Sequence, residues 1–148
     1  MMKKTFPAIL IVLSLSVLIS TSMMAAENGN LIIKKSEITS VAKFIPYKAD
    51  GVNMEIIAVK ASDGSIRTAF NTCQICYNSG RGFYKQQGDV FVCQNCGNRF
   101  KIDQVEQIKG GCNPIPILKE DKQESASEIV IPAKVLASYK QYFLKWKR

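Results

Sequence analysis

The residues of this chain whose type and spacing promise chemistry are its five cysteines. Cys73 and Cys76 stand in "CQIC", Cys93 and Cys96 in "CQNC", and Cys112 follows in "GGCNPIP". Sixteen residues separate the two pairs. A C-x2-C turn points both sulfurs the same way and offers nearby backbone N–H groups to them. Two such turns facing each other supply four thiolates in a tetrahedron, a donor set that suits zinc, mononuclear iron or an iron–sulfur cluster. We therefore assign Cys73, Cys76, Cys93 and Cys96 as metal ligands. Cys112 is then a fifth thiol with no vertex left to fill. Either it is a small buried side chain, or it sits beside the site as an exchange ligand or a tuning thiol; we place it in the cofactor site on the second reading. Gly110 and Gly111 favour that placement, because two glycines let a backbone come close to another group. The chain has no histidine, which excludes His-based triads, His-ligated zinc and imidazole acid–base chemistry. No catalytic residue is assigned.

The elements that must position these thiols read as short strands. Ile38 to Tyr47 and Val52 to Lys60 flank Asp50-Gly51, a hairpin signal. Val52, Met54, Ile56 and Ala58 share one face of the second run, and Ile57 and Val59 make its far end apolar on both faces, as where a strand enters a core. Asp63-Gly64 repeats the turn, and Ile66 to Phe70 leads into the first cysteine pair. "GFYKQQGDVFVC" reads as a hairpin turning at Gln87 to Asp89 that delivers Cys93 at a strand end. Residues 31–118 thus form a β-rich four-cysteine domain and 119–127 a polar linker. Within 128–148, "EIVIP" is a short strand, and Pro132 opens a helix with Val135, Leu136, Tyr139, Tyr142, Phe143 and Trp146 on one stripe. The predicted class is a small α+β fold, mainly β with a C-terminal α-helix, its hairpins carrying two rubredoxin- or zinc-ribbon-like knuckles. The helix packs across the sheet, or lies on a membrane surface through its lysine face.

Residues 1–26 read as a targeting segment: a basic start at Lys3 and Lys4, an apolar run from Phe6 to Ser20, then small residues to Ala26. The run is short for a bilayer, which takes roughly 20 residues, so a cleaved signal peptide is expected, with an uncleaved N-terminal anchor as the alternative. Both put the domain outside the cytoplasm, in the periplasm or on the outer face of the cytoplasmic membrane. The net charge of +8 falls to +6 when Lys3 and Lys4 leave with the leader. On an exported protein such a charge meets anionic envelope surfaces or solvent, and nucleic acid is not expected. Export also favours disulfides over metal. Ribbon spacing, the redox lability of C-x-x-C bridges and the odd cysteine count favour metal.

"AFNTCQICYNSGRGFY", "VFVCQNCGNRF", "QIKGGCNPIPI" and "IVIPAKVL" together resemble the FtrD-like family of membrane iron–sulfur-containing proteins, from about Ile38 to the C-terminus. The resemblance implies iron and association with bacterial iron-uptake systems, with membrane iron-uptake or redox components as partners. Family members are sometimes domains on multi-span membrane proteins, whereas a single N-terminal apolar segment is expected here. The leader has Lys-Lys and no twin arginine, so the chain is expected to cross unfolded and to acquire metal afterwards. A single iron or zinc ion is easier to load in that setting than a preassembled cluster. The leading function is a non-enzymatic extracytoplasmic metal-thiolate protein for iron handling or electron transfer. The alternatives are a structural zinc ribbon that binds a partner protein, and a thiol–disulfide oxidoreductase using one C-x-x-C pair.

Overall fold

A computed structural model describes residues 26–148. The leader read at residues 1–26 lies, but for Ala26, outside the described residues. Eleven strands follow in chain order. They are β1 (Ala26–Glu27), β2 (Leu31–Lys34), β3 (Lys43–Ala49), β4 (Val52–Lys60), β5 (Ile66–Cys73) and β6 (Tyr84–Gln87). Next come β7 (Val90–Cys93), β8 (Arg99–Lys101), β9 (Pro114–Pro116), β10 (Gln123–Glu124) and β11 (Glu128–Ile131), then one helix, α1 (Ala133–Ser138). Among the described residues the class is the expected one: mainly β, with a single C-terminal α-helix.

Three sheets form. The central one has the order β1-β3-β4-β5-β9; β10-β11-β2 and β6-β7-β8 are three-stranded. The β3–β4 hairpin turns at Asp50-Gly51 with φ of 47° and 81°, the doubly positive pair that a two-residue turn demands. β4 explains the rest of the architecture. Met54, Ile56 and Ala58 enter one buried cluster, together with Phe70, Ile129, Ile131 and Leu136. Ile57 and Val59 enter a second, together with Ala69, Phe91 and three of the cysteines. The central sheet is therefore covered on both faces, the second face by the small sheet that carries Cys93.

Three sequence expectations shift. The strand read from Ile38 begins at Lys43. The Thr39 hydroxyl accepts the Val41 N–H at 3.1 Å and closes a local turn, while Ile38 is buried ahead of the strand. The stretch 119–127, read as a polar linker, folds onto the domain. β10 pairs with β11, and Lys122 is buried, with its Nζ 2.5 Å from Glu106 and 2.9 Å from the Thr68 hydroxyl. A lysine counts as polar in any pattern, yet a buried carboxylate can draw it inside.

The C-terminal helix is also shorter than its apolar stripe: α1 ends at Ser138 and a 3-10 turn covers Lys140–Phe143. Three residues per turn stack residues i and i+3. That pairs Tyr139 with Tyr142 at 6.1 Å and Phe143 with Trp146 at 5.6 Å between ring centroids. The rings then reach separate targets: Tyr139 stacks on Phe70 at 4.5 Å, Tyr142 meets Tyr77 at 4.9 Å, and Trp146 meets Phe83 at 6.3 Å. A continuous α-helix would keep the rings on one stripe, whereas the 3-10 turn spreads them over Phe70 on β5, Tyr77 and Phe83. Among the described residues no helix is long and apolar enough to cross a membrane.

Candidate metal centre

All five thiols converge. β5 ends at Cys73 and β7 at Cys93, and each strand end turns into a knuckle. In the first, the Cys76 N–H points at Cys73 Sγ from 3.3 Å. In the second, the Gly97 N–H bonds to Cys93 O and the Cys93 N–H to Asn98 O, both at 2.9 Å. Gly97 takes φ of +76°, the left-handed conformation that a residue closing such a turn needs. The Cys73 N–H closes the first loop on Gly82 O at 2.7 Å, and the Gln94 N–H ties the second knuckle to it through Phe83 O at 2.8 Å. Cys112 comes from the loop before β9, whose pairing sets Pro114 opposite Cys73. Asn98 Nδ2 donates to Cys112 O at 2.6 Å and holds that loop against the second knuckle.

The sulfurs of Cys73, Cys76, Cys93 and Cys112 all lie within 4.8 Å of one another. Cys112 Sγ is 3.4 Å from Cys73, 3.8 Å from Cys76 and 2.8 Å from Cys96. Cys73, Cys76 and Cys93 are buried, Cys112 is half-buried and Cys96 is exposed. A tetrahedral ion with metal–sulfur bonds of about 2.3 Å has edges of about 3.8 Å. The Cys73–Cys112 and Cys76–Cys112 separations are close to that edge. The residues therefore fit a thiolate-bound metal: a soft, all-sulfur donor set, largely buried and held by backbone hydrogen bonds.

The electrostatics divide the thiols. At Cys73 burial pushes the thiol up, but hydrogen bonds from the Tyr84 hydroxyl and from the Cys76 and Ile75 N–H groups outweigh it, leaving the value below its usual one. Burial pushes Cys76 up to about 11 and raises Cys112 as well, aided by its hydrogen bonds with Cys96 and Cys73. Cys96 is drawn down to about 7, first by the hydrogen bond from Cys112 and then by the Asn98 N–H. The exposed thiol thus ionises more readily than Cys76 or Cys112.

Sequence reading did not single out Tyr84, Asn98 or Gly82. Tyr84 is fully buried, its hydroxyl 3.9 Å from Cys112 Sγ. A signal for it existed: a two-residue turn at Gly88-Asp89 forces Tyr84 opposite Cys93, the pairing observed. Gly82 packs under the first knuckle so closely that a Cβ there would lie 2.6 Å from the Cys76 carbonyl carbon. No sequence pattern distinguishes that glycine from its neighbours in "NSGRG". The C-terminal tail completes the enclosure of this loop, with the Lys147 N–H on Gly80 O at 2.9 Å and Trp146 Nε1 on Asn71 O at 3.0 Å.

Compared with known proteins, the chain matches no curated one. Among solved structures, the crystal structure of the quaternary ammonium Rieske monooxygenase CntA in complex with an inhibitor is similar at a TM-score of 0.45 and 20% identity. That likeness covers 74% of this chain and 32% of the other, so this chain spans about a third of that one's length. The family profile described as membrane iron–sulfur containing protein, FtrD-like, matches residues 38–143, from the buried Ile38 through both knuckles and Cys112 to Phe143, and the chain belongs to that family.

Proposed function

We propose that this chain is an extracytoplasmic metal-thiolate protein that holds one iron ion at the cysteine centre. It serves iron handling or one-electron transfer beside a membrane iron-uptake system. The observation that carries the reading is the compactness of the four-thiol group, with every sulfur within 4.8 Å of the others. Thiolates that share one ion sit about a tetrahedral edge apart, about 3.8 Å, whereas thiolates bound to different irons of a cluster are held further apart by the irons and sulfides between them. The leader supports the same reading, since a chain exported unfolded must find its metal afterwards, and thiolates take up a single ion as the chain folds.

Bound iron would supply a one-electron couple. The protein's part is to bury three of the thiols, direct N–H and O–H donors at the sulfurs, and leave one face open at Cys96. Hydrogen bonds to sulfur and exclusion of water are the means by which a protein sets such a potential. Zinc is the alternative occupant, with a purely structural role in joining the knuckle sheet to the central sheet. Aerobically purified protein separates the readings. A thiolate-to-iron absorption band that dithionite bleaches supports iron, and colourless protein with one equivalent of zinc rejects it. Metal-free protein with an oxidising C-x-x-C bond supports the oxidoreductase alternative.

A further inference from the structure

Cys96 and Cys112 stand 2.8 Å apart, sulfur to sulfur. That is well short of the edge of about 3.8 Å that two thiolates on one tetrahedral ion require. As they stand, the two sulfurs occupy one vertex of such a site rather than two. The other three thiols are common to both choices. Cys73, Cys76 and Cys93 with Cys112 make the compact group within 4.8 Å, and the C-x2-C pattern makes Cys96 the natural partner of Cys93. The sequence names one fourth ligand and the packing supplies another.

We propose that the centre is two overlapping four-thiolate sites sharing Cys73, Cys76 and Cys93, with Cys96 and Cys112 exchanging as the fourth ligand. This rests on the metal-thiolate reading above. The backbone allows the exchange on both sides. Gly110 and Gly111 precede Cys112 with φ of +81° and +83° and no atom within 4 Å of where a side chain would begin. Gly97, just past Cys96, takes φ of +76° with equally open space. Asn98 ties the Cys112 carbonyl to the second knuckle, so the two thiols stay in register while either one turns toward the ion. The buried state keeps Cys112 as ligand and leaves Cys96 free at the surface. The open state puts the ion on the exposed Cys96, where a thiolate or carboxylate of an acceptor can reach it. As one sulfur binds, its proton passes across the Cys96–Cys112 contact to the departing thiolate, so one metal–sulfur bond replaces another, the charge of the centre is unchanged and no electron moves. Such an exchange fits a protein that hands its metal on.

Cobalt(II) is the probe, because its ligand-field bands report tetrahedral geometry and its thiolate charge-transfer intensity reports the number of sulfurs bound. Cys96→Ser and Cys112→Ser should each bind one cobalt with a four-sulfur spectrum, at an affinity within about threefold of wild type. The double variant should show a three-sulfur spectrum and bind at least about tenfold more weakly, since even an outer partner of a ligand is worth that much. Cys73→Ser and Cys93→Ser should each lose the four-sulfur spectrum alone. A single loss confined to Cys96→Ser, or confined to Cys112→Ser, would establish one fixed ligand and overturn the exchange; so would losses in both, which indicate a site needing five thiolates. Alkylation of cobalt-loaded wild type covers the case of a variant that does not fold. Chains carrying one label at Cys96, and others carrying one at Cys112, should both keep their cobalt; release on labelling either residue contradicts the proposal. Wild type that takes up no cobalt rejects the metal-thiolate reading itself.

Discussion

Cys73 and Cys93 differ from the other thiols in being at strand ends and fully enclosed. Replacing either leaves three thiolates and an uncapped strand end. Metal binding to such a site is folding free energy, so Cys73→Ser or Cys93→Ser should lower the melting temperature of the metal-loaded protein by at least about 10 °C. Calorimetry with and without a chelator checks this, and a variant that loses metal yet melts with wild type would refute the stapling role. Tyr84 makes a finer test. Its hydroxyl lies 3.9 Å from Cys112 Sγ and helps hold the Cys73 thiol below its usual value, and donors to sulfur stabilise the more electron-rich, reduced state. Tyr84→Phe should keep fold and iron but move the midpoint potential negative in voltammetry. An unchanged potential would mean the hydroxyl only fills space.

Two pairings between elements carry weight that no local pattern reveals. Lys122 and Glu106 form an ion pair with side chains 2% and 12% exposed, closed by Thr68. Removing one member leaves a charge buried without its partner, which costs about 3 kcal/mol or more. Lys122→Ala should therefore unfold at markedly lower denaturant, and Lys122→Met with Glu106→Gln should recover most of the loss. Equal stability of the single and double variants would show that the pair is not coupled. Glu55 on β4 tests the linkage between β4, β5 and the tail. Burial raises its pKa above the ordinary 4.5, against the hydrogen bond from Asn71 and the charge of Arg148. A raised folded value means the fold favours the protonated acid. Its contribution is complete below the unfolded pKa and fades as pH rises through the folded one. The stability of wild type minus that of Glu55→Gln should thus decline from acid toward neutral pH. A difference that grows instead would reverse the sign of the assigned shift.

The hairpins, the knuckle positions and the two-faced β4 were legible because turn residues and period-two alternation are local signals. The buried Lys122 and the truncated α1 were not, since each answers to a partner far away in sequence. The fourth ligand is ambiguous for the same reason. C-x2-C spacing is local and names Cys96, while the β5–β9 pairing that brings in Cys112 spans about forty residues.

At the scale of the whole molecule, the cysteine centre is where the small knuckle sheet, the central sheet and the C-terminal tail meet. The fold places its one soft donor set at the junction that needs holding, and leaves Cys96 as the side open to solvent. On the proposed reading, that arrangement would join stability to metal content, and metal content to exchange with an acceptor. It also makes nuclearity the central question, because one ion and a cluster would demand different sulfur spacings at the same junction. The decisive measurement is the iron and acid-labile sulfide content per chain of the purified protein. A single-ion site gives one iron and no sulfide, with iron lost and the fold destabilised together on chelation. Sulfide in equal amount to iron, at two or more irons per chain, would contradict it.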